Sequence, residues 1–386
     1  MAIPISYNLR NLAVRKTTTI MTALGIALSV AILVASLALV NGLRTVFKNT
    51  ANPLQLLVLR KGGNSELSSI ISTQAFATLR SQAGIAVGQR GEPLASQELV
   101  NVTNLPSVDN PKGMNVTVRG LSTTGIEMRK VRLIDGRWFQ PGQREIVVGK
   151  SVAKRYPSAR IGNRIRLGKG AWEIVGVMDG GQSALNSEIW GDFNQVSGDY
   201  NRQDSPSSVL LRATDSAALD ALKQSIEDDR RLGARAITEA DYYQSQTSSG
   251  APLEFLGIFV AVIMAIGGGF AAMNTMYAAV AYRSREIATL RIIGFSRPSI
   301  LTSFVIEALL LSLLGAFVGI VLILPFNGMS TGIGNSLTFS ETVFSLHLTW
   351  EVAIAAVGFA LIMGLLGGFA PAWQAARQDI LTSLRA

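Results

Sequence analysis

The chain has 386 residues, 48% of them apolar and 16% charged, where an ordinary globular chain has roughly a quarter charged. With no cysteine and one histidine, it excludes thiol chemistry, disulfide frameworks, cysteine- or histidine-rich metal sites and a Ser-His-Asp triad of the usual pattern. The net charge of +9 is no nucleic-acid signature, because nine of the 35 basic residues flank apolar runs and the rest mix with the acids.

In chain order, residues 1–16 set Leu9, Leu12 and Ala13 against Asn8, Arg10, Asn11 and Arg15. That pattern suits a cytoplasmic amphipathic helix in the membrane interface, or an ordinary positive flank. Residues 17–43 contain no Asp, Glu, Lys, Arg or His and are long enough for a span, which takes about 20 apolar residues. The run is too long for a signal-peptide core and lacks a clear cleavage site, so a retained first span is predicted.

Residues 44–252 read as a mixed α and β domain. A strand at 55–61 leads to a helix over 66–82, and a strand at 207–213 leads to a helix over 215–231. In the second helix Leu219, Leu222 and Ile226 share a face, and Asp215 is a natural N-cap. A strand at 234–238 closes the pattern. These two units, about 53–94 and 205–240, flank a strand-rich insertion, about 95–204, with a hairpin turning at Gly168–Gly170. The polar stretch 241–249 predicts a helical stalk.

A second span is predicted at 253–282, with Gly267, Gly268 and Gly269 in a row, and a third at 298–326, where Glu307 is the one acid. The fourth, 351–373, carries Gly364 and Gly368 at small-residue spacing. Gly25 and Ser29 of the first span join these as candidates for helix packing or a dimer seam. Arg10, Arg15 and Lys16, then Arg283, Arg285, Arg291 and Arg297, then Arg377 and Arg385 border the spans, whereas 327–350 has no Lys or Arg. The positive-inside rule therefore places both termini (1–16 and the tail 374–386) and 283–297 in the cytoplasm, with 44–252 and 327–350 outside. Intramembrane acids are functional candidates by default, but Glu307 stands near enough to the cytoplasmic end for an arginine or backbone donors to satisfy it.

Gly149-Lys150-Ser151 resembles the end of a phosphate-binding loop, but the glycine required at position 144 is Arg144. Nothing local nominates a catalytic pair of carboxylates, so the chain reads as a non-enzyme. The stretch 283–297, RSREIATLRIIGFSR, is different. As a helix it puts Arg283 beside Glu286 and sets Ile287, Leu290 and Ile293 or Gly294 along one edge. Gly294 ends it, and Ser296 with Pro298 starts the next helix. A capped amphipathic helix between two spans suits docking on a cytoplasmic partner.

That block, with REIATLRIIGFSRPSILTSFVIEALLLSLLGAFVG as its core, TALGIALSV before it and GGFAPAWQAARQDILTSLR after it, resembles the MacB/FtsX/LolC-type permeases of ABC systems, the mechanotransmission class. In the outer segment, LIDGRWFQPGQREIVVGKSVAKRY is similar to the family's periplasmic core domain. The resemblance implies an α-helical inner-membrane protein with four transmembrane helices and a large extracytoplasmic α+β domain, split into a porter-like part and an inserted Sabre-like part. It implies a dimer with a second copy or a related permease, an ABC ATPase that binds the ATP and Mg, and often a periplasmic membrane-fusion adaptor and an outer-membrane duct. No cofactor is expected in this chain. Because the chain begins 16 residues before its first span, the ATPase is expected to be a separate polypeptide. By carry-over, Arg283, Glu286, Ile287, Leu290, Arg291 and Gly294 are the coupling candidates. The expected task is export or extraction of a lipidic, amphiphilic or peptide substrate, with lipoprotein release or control of a periplasmic hydrolase as alternatives.

Overall fold

The structure, a computed structural model, describes residues 4–14, 16–108, 110–247, 251–335 and 338–378. The chain divides into a helical unit, Met1–Asn41, Ala251–Met329 and Ser345–Ala386, and a sheet unit, Gly42–Gly250 with Ser330–Phe344. It begins with helices α1 (Ile5–Val14) and α2 (Lys16–Thr50). Then come β1 (Gln55–Arg60), α3 (Thr73–Arg80), β2 (Ala95–Leu105), β3 (Met114–Leu121), α4 (Thr123–Arg129), β4 (Arg132–Gly136), β5 (Glu145–Gly149) and α5 (Lys150–Arg155). They are followed by β6 (Arg164–Leu167), β7 (Gly170–Asp179), β8 (Glu188–Asp192), α6 (Phe193–Asp199), β9 (Ser208–Arg212), α7 (Ser216–Asp228), β10 (Ala234–Thr238) and α8 (Glu239–Thr247). Helices α9 (Ala251–Tyr282), α10 (Ser284–Ile292) and α11 (Arg297–Ile323), strands β11 (Ser330–Gly334) and β12 (Glu341–Ser345), and α12 (Trp350–Arg377) complete it.

Among the described residues, α2, α9, α11 and α12 are long and apolar enough to cross a membrane. Helix α2 runs past the predicted end at 43. Its 35 residues make about 52 Å at 1.5 Å per residue, against roughly 30 Å of bilayer hydrocarbon. Arg44 and Lys48 favour helix, and nothing breaks it before Asn52 and Pro53. Helix α12 likewise continues past 373 to Arg377, carrying Pro371 inside it.

In the sheet unit the strand order is β10-β1-β9-β2-β3-β8-β5-β7-β4, with β6 on β7. Strand β2 changes partner along its length: Ala95–Glu98 pair with β9, and Leu99–Leu105 with β3. One core lies around Leu56, Val58, Leu211, Leu222 and Ile226, the other around Val118, Val148, Trp172 and Ile189. Asp215 Oδ1 accepts the Ala218 N–H at 2.9 Å and caps α7, whose Leu219, Leu222 and Ile226 are buried.

One expectation changes here. The helix foreseen over 66–82 is a short 3₁₀ turn, Glu66–Ser68, and α3. Serine hydroxyls compete with helical bonding: Ser69 Oγ accepts the Arg60 N–H at 2.8 Å, and Ser68 Oγ donates to Ser65 O at 3.2 Å. The connection 327–350 holds the β11–β12 pair. There Tyr156 Oη donates to Glu341 Oε2 at 2.6 Å, Arg155 pairs with Glu341 at 2.9 Å, and Val343 N–H donates to Ser187 Oγ at 2.9 Å. Of the foreseen stalk, α8 reaches Thr247; Ser248 and Ser249 lie outside the described residues.

The sheet unit buries a charge cluster. Arg119 of β3 is 2% exposed. It donates to both oxygens of Glu66 at 2.8 and 3.0 Å, to both of Glu188 at 2.9 Å, and to Glu98 at 2.6 Å. All five guanidinium donors are thereby used. Arg129 of α4 adds a bidentate grip on Glu98 at 3.1 and 2.6 Å. Glu239, first residue of α8, is the least compensated member. Its Oε2 accepts the Asn52 N–H at 2.8 Å, while its Oε1 stands 3.5 Å from Arg129 Nη1.

Burial pushes the Glu239 carboxyl up to about 7; Arg129 and the Asn52 N–H oppose this, and Glu98 and Glu66 add to it. Its folded pKa thus exceeds the ordinary glutamate value of about 4.3, so its stabilising contribution is complete below that value and lost as pH rises through the folded pKa. For the full chain in detergent, this group should lower stability by up to about 3 kcal/mol between about pH 5 and about pH 8. A thermal-melt series should show that slope flattened in Glu239→Gln; an unchanged slope would remove Glu239 from the account.

Candidate coupling site

Helix α10, SREIATLRI, joins the end of α9 to the start of α11. Ile287 is buried among Met276 and Val280 of α9, Ile300 and Phe304 of α11, and Ala372 and Ala375 of α12. Beyond α10, Gly294 adopts φ +105°, and Phe295 N–H donates to Leu290 O at 3.1 Å, the six-residue bond of a left-handed helix terminus. That tight turn leaves Ile292 and Ile293 62% and 66% exposed. Ser296 precedes α11 without a side-chain capping bond, and Pro298 sits in its first turn.

At the other end of α10, Arg283 is turned inward. Its Nη1 and Nη2 donate to Glu307 Oε2 and Oε1 at 2.7 and 3.0 Å, and its Cζ lies 5.8 Å from the Phe304 ring centroid. Both partners are about 95% buried on their side chains. A carboxylate on α11 thus holds the start of α10 by two parallel charged bonds. Exposed Glu286 accepts from Tyr7 Oη of α1 at 3.2 Å.

Residues 19–229 match the family model described as MacB-like periplasmic core domain, and residues 258–380 match FtsX-like permease C-terminal. The chain belongs to the MacB/FtsX family of ABC transporter permeases. Relatives include the "Macrolide export ATP-binding/permease protein MacB" of Bdellovibrio bacteriovorus, 25% identical over 97% of this chain and 60% of its own length. The protein of that name from Rhodopseudomonas palustris is 26% identical over 70% of this chain and 43% of its own. The chain therefore spans about half the length of these curated relatives. Among solved structures, the periplasmic region of MacB from Actinobacillus actinomycetemcomitans aligns with 51% of this chain and 94% of that one, at 12% identity and a TM-score of 0.38.

As a MacB/FtsX permease, the chain is a multi-pass membrane protein with a large extracytoplasmic domain, in a family of non-catalytic permeases. Among its sequence-nominated coupling residues, Glu286 and Gly294 are exposed, Leu290 and Arg291 half-buried, and Arg283 and Ile287 buried. The last two are packed against this chain's own helices, Ile287 in an apolar cluster and Arg283 on Glu307. Sequence reasoning passed over Ile292 and Tyr7. Helical periodicity alone did not reveal that the Gly294 turn would leave the final two isoleucines outward.

The small residues also divide. Ser29 Oγ donates to Met264 O at 3.2 Å. A Cβ on Gly268 would come within 2.8 Å of Met363 Cε, one on Gly364 within 2.5 Å of Ser312 Oγ, and one on Gly368 would collide with Ala308 Cβ. These positions pack this chain's own helices. Around Gly25, Gly267 and Gly269 the corresponding space is open.

Glu307→Ala leaves Arg283 buried without its partner and should cost about 3–5 kcal/mol. The double variant Arg283→Ala, Glu307→Ala should melt above that single variant in detergent. A double variant that melts lower, by the sum of the two single losses, would show that the residues do not act as a pair.

Proposed function

We propose that this permease converts ATP-driven motion of a cytoplasmic ABC ATPase into movement of its extracytoplasmic unit. The work done would be export or extraction of a lipidic, amphiphilic or peptide substrate. The observation that carries this reading is the two-sided build of α10. Its inner side is fastened by Ile287 and by the Arg283–Glu307 pair, while its outer side presents Ile292 and Ile293 beside exposed Arg285, Glu286 and Thr289. A push on the exposed side is then passed to α9 and α11 because the helix cannot roll freely. The arginines of 283–297, against none in 327–350, favour a cytoplasmic position for this helix and for both termini.

In this reading the inner membrane holds the permease beside a second copy or a related permease. The open faces at Gly25, Gly267 and Gly269 are the candidate seam, and a periplasmic membrane-fusion adaptor leading to an outer-membrane duct would receive the substrate. Subunits co-purified from the native membrane and identified by mass spectrometry test the partners. Within such a complex in nanodiscs, Ile292→Asp with Ile293→Asp should lower ATPase turnover at least roughly tenfold, as loss of buried anchors does at an interface. Unchanged turnover by the intact complex would sink the docking role.

A further inference from the structure

The sheet unit contains a cavity of about 370 Å³ lined by Gly88, Gln89, Arg90, Glu92 and Leu94, by Thr123, Thr124, Ile126 and Glu127, and by Trp138 and Phe139. Its size falls within the roughly 300–1,000 Å³ of small-molecule sites. The apolar part is preformed. Trp138 stacks on the fully buried Trp190 with ring centroids 6.4 Å apart, and Phe139 meets Trp138 edge-on at 6.5 Å. The loop that forms the opposite wall is held by Gly88 N–H donating to Glu92 O at 2.8 Å.

The charges lining this space are unequal. Glu92 is paired with Arg80 at 3.5 Å, and Arg90 donates to Thr123 Oγ1 at 3.4 Å. Glu127 Oε1 accepts only a backbone bond, from Gln89 N–H at 3.1 Å, and among the described residues no ion pair neutralises it. Arg212 feels this charge but donates its Nη2 to Met128 O instead. Gly88 makes room for the carboxylate: a Cβ there would stand 3.1 and 3.3 Å from its two oxygens and 2.8 Å from Leu94 Cδ2.

We propose that this cavity binds a small organic cation with a flat apolar body. The ammonium or guanidinium group would sit on Glu127, and the body would lie against Trp138 and Phe139. The carboxylate favours a cation through a charged hydrogen bond, and the aromatic wall favours a flat apolar body attached to it. The Thr123 and Thr124 hydroxyls supply further acceptors at the rim. An anion would meet Glu127 and Glu92 against the single guanidinium of Arg90, and a neutral aromatic would gain only the apolar contact.

The assignment does not depend on ATPase coupling, because binding is read on the permease alone. The probes are naphthylethylamine, naphthylethanol and naphthylacetate, titrated calorimetrically into the full chain in lipid nanodiscs, with empty nanodiscs subtracted. The amine should bind saturably, and about tenfold or more tighter than the alcohol; the carboxylate should not bind. Glu127→Gln, a substitution on a half-buried rim that should leave the melt unchanged, should erase the preference of amine over alcohol. Gly88→Ala should weaken amine binding by crowding the carboxylate, and Trp138→Phe should weaken amine and alcohol together. Equal affinities for amine and alcohol, undiminished amine binding by Glu127→Gln, or no saturable binding of any probe would each overturn the proposal.

Discussion

The sheet unit is organised around the desolvation of one guanidinium. Arg119 sits on β3 where a side chain would otherwise join an apolar core, and burying it unpaired would be prohibitive. It is tolerated because three carboxylates arrive from three other places: the turn before α3, strand β2 and strand β8. Each must hold its position for the others to be satisfied. Trp190 Nε1 and Ser208 Oγ donate to the remaining capacity of Glu188 and Glu66 at 2.7 and 2.6 Å. Such a centre adds little net stability over an apolar packing. What it provides is discrimination: a one-residue slip of β2 would turn Glu98 to the opposite face of the sheet and leave both arginines short.

The spans use a smaller form of the same device. Glu307 alone in α11 would be an expensive residue in a bilayer, and Arg283 at the end of α9 would otherwise seek water. Together they form a directional clasp, reinforced by Phe304, at the one place where a short polar helix must be held against three apolar ones. Beside the apolar side-chain clusters, some helix contacts rest on close approach. Gly364 and Gly368 let α12 meet α11 without intervening side chains, which suits an environment offering little hydrophobic drive between helices.

What was legible in the sequence follows from range. The apolar runs, the Asp215 cap, the buried face of α7 and the Gly168 turn are encoded within a few neighbouring residues, and local spacing reveals them. Glu66 was opaque for the opposite reason. An acid among serines reads as the exposed start of a helix, and its true partner is 53 positions away. Likewise, Glu307 was visible as an anomaly, but periodicity could not assign it to Arg283, 24 residues earlier. Arg283 was nominated for coupling through the family resemblance, and its bond to Glu307 is a contact that only the fold displays. Glu127 had no local signature, since its cavity is assembled from a loop, a short helix and the segment after β4.

The placement of β1 bears on how this unit is made. Its partners are β9 and β10 alone, with Gln55 paired to Arg212 and Arg60 to Ala234. Chain growth at 5–20 residues per second leaves QLLVLR without a neighbour for on the order of ten to thirty seconds. During that interval an apolar, strand-prone segment stands beside a newly inserted helix with both of its edges open, a hazard for misassociation. Biogenesis of the unit is thus governed by waiting: its earliest strand can be sheltered only by nearly its last.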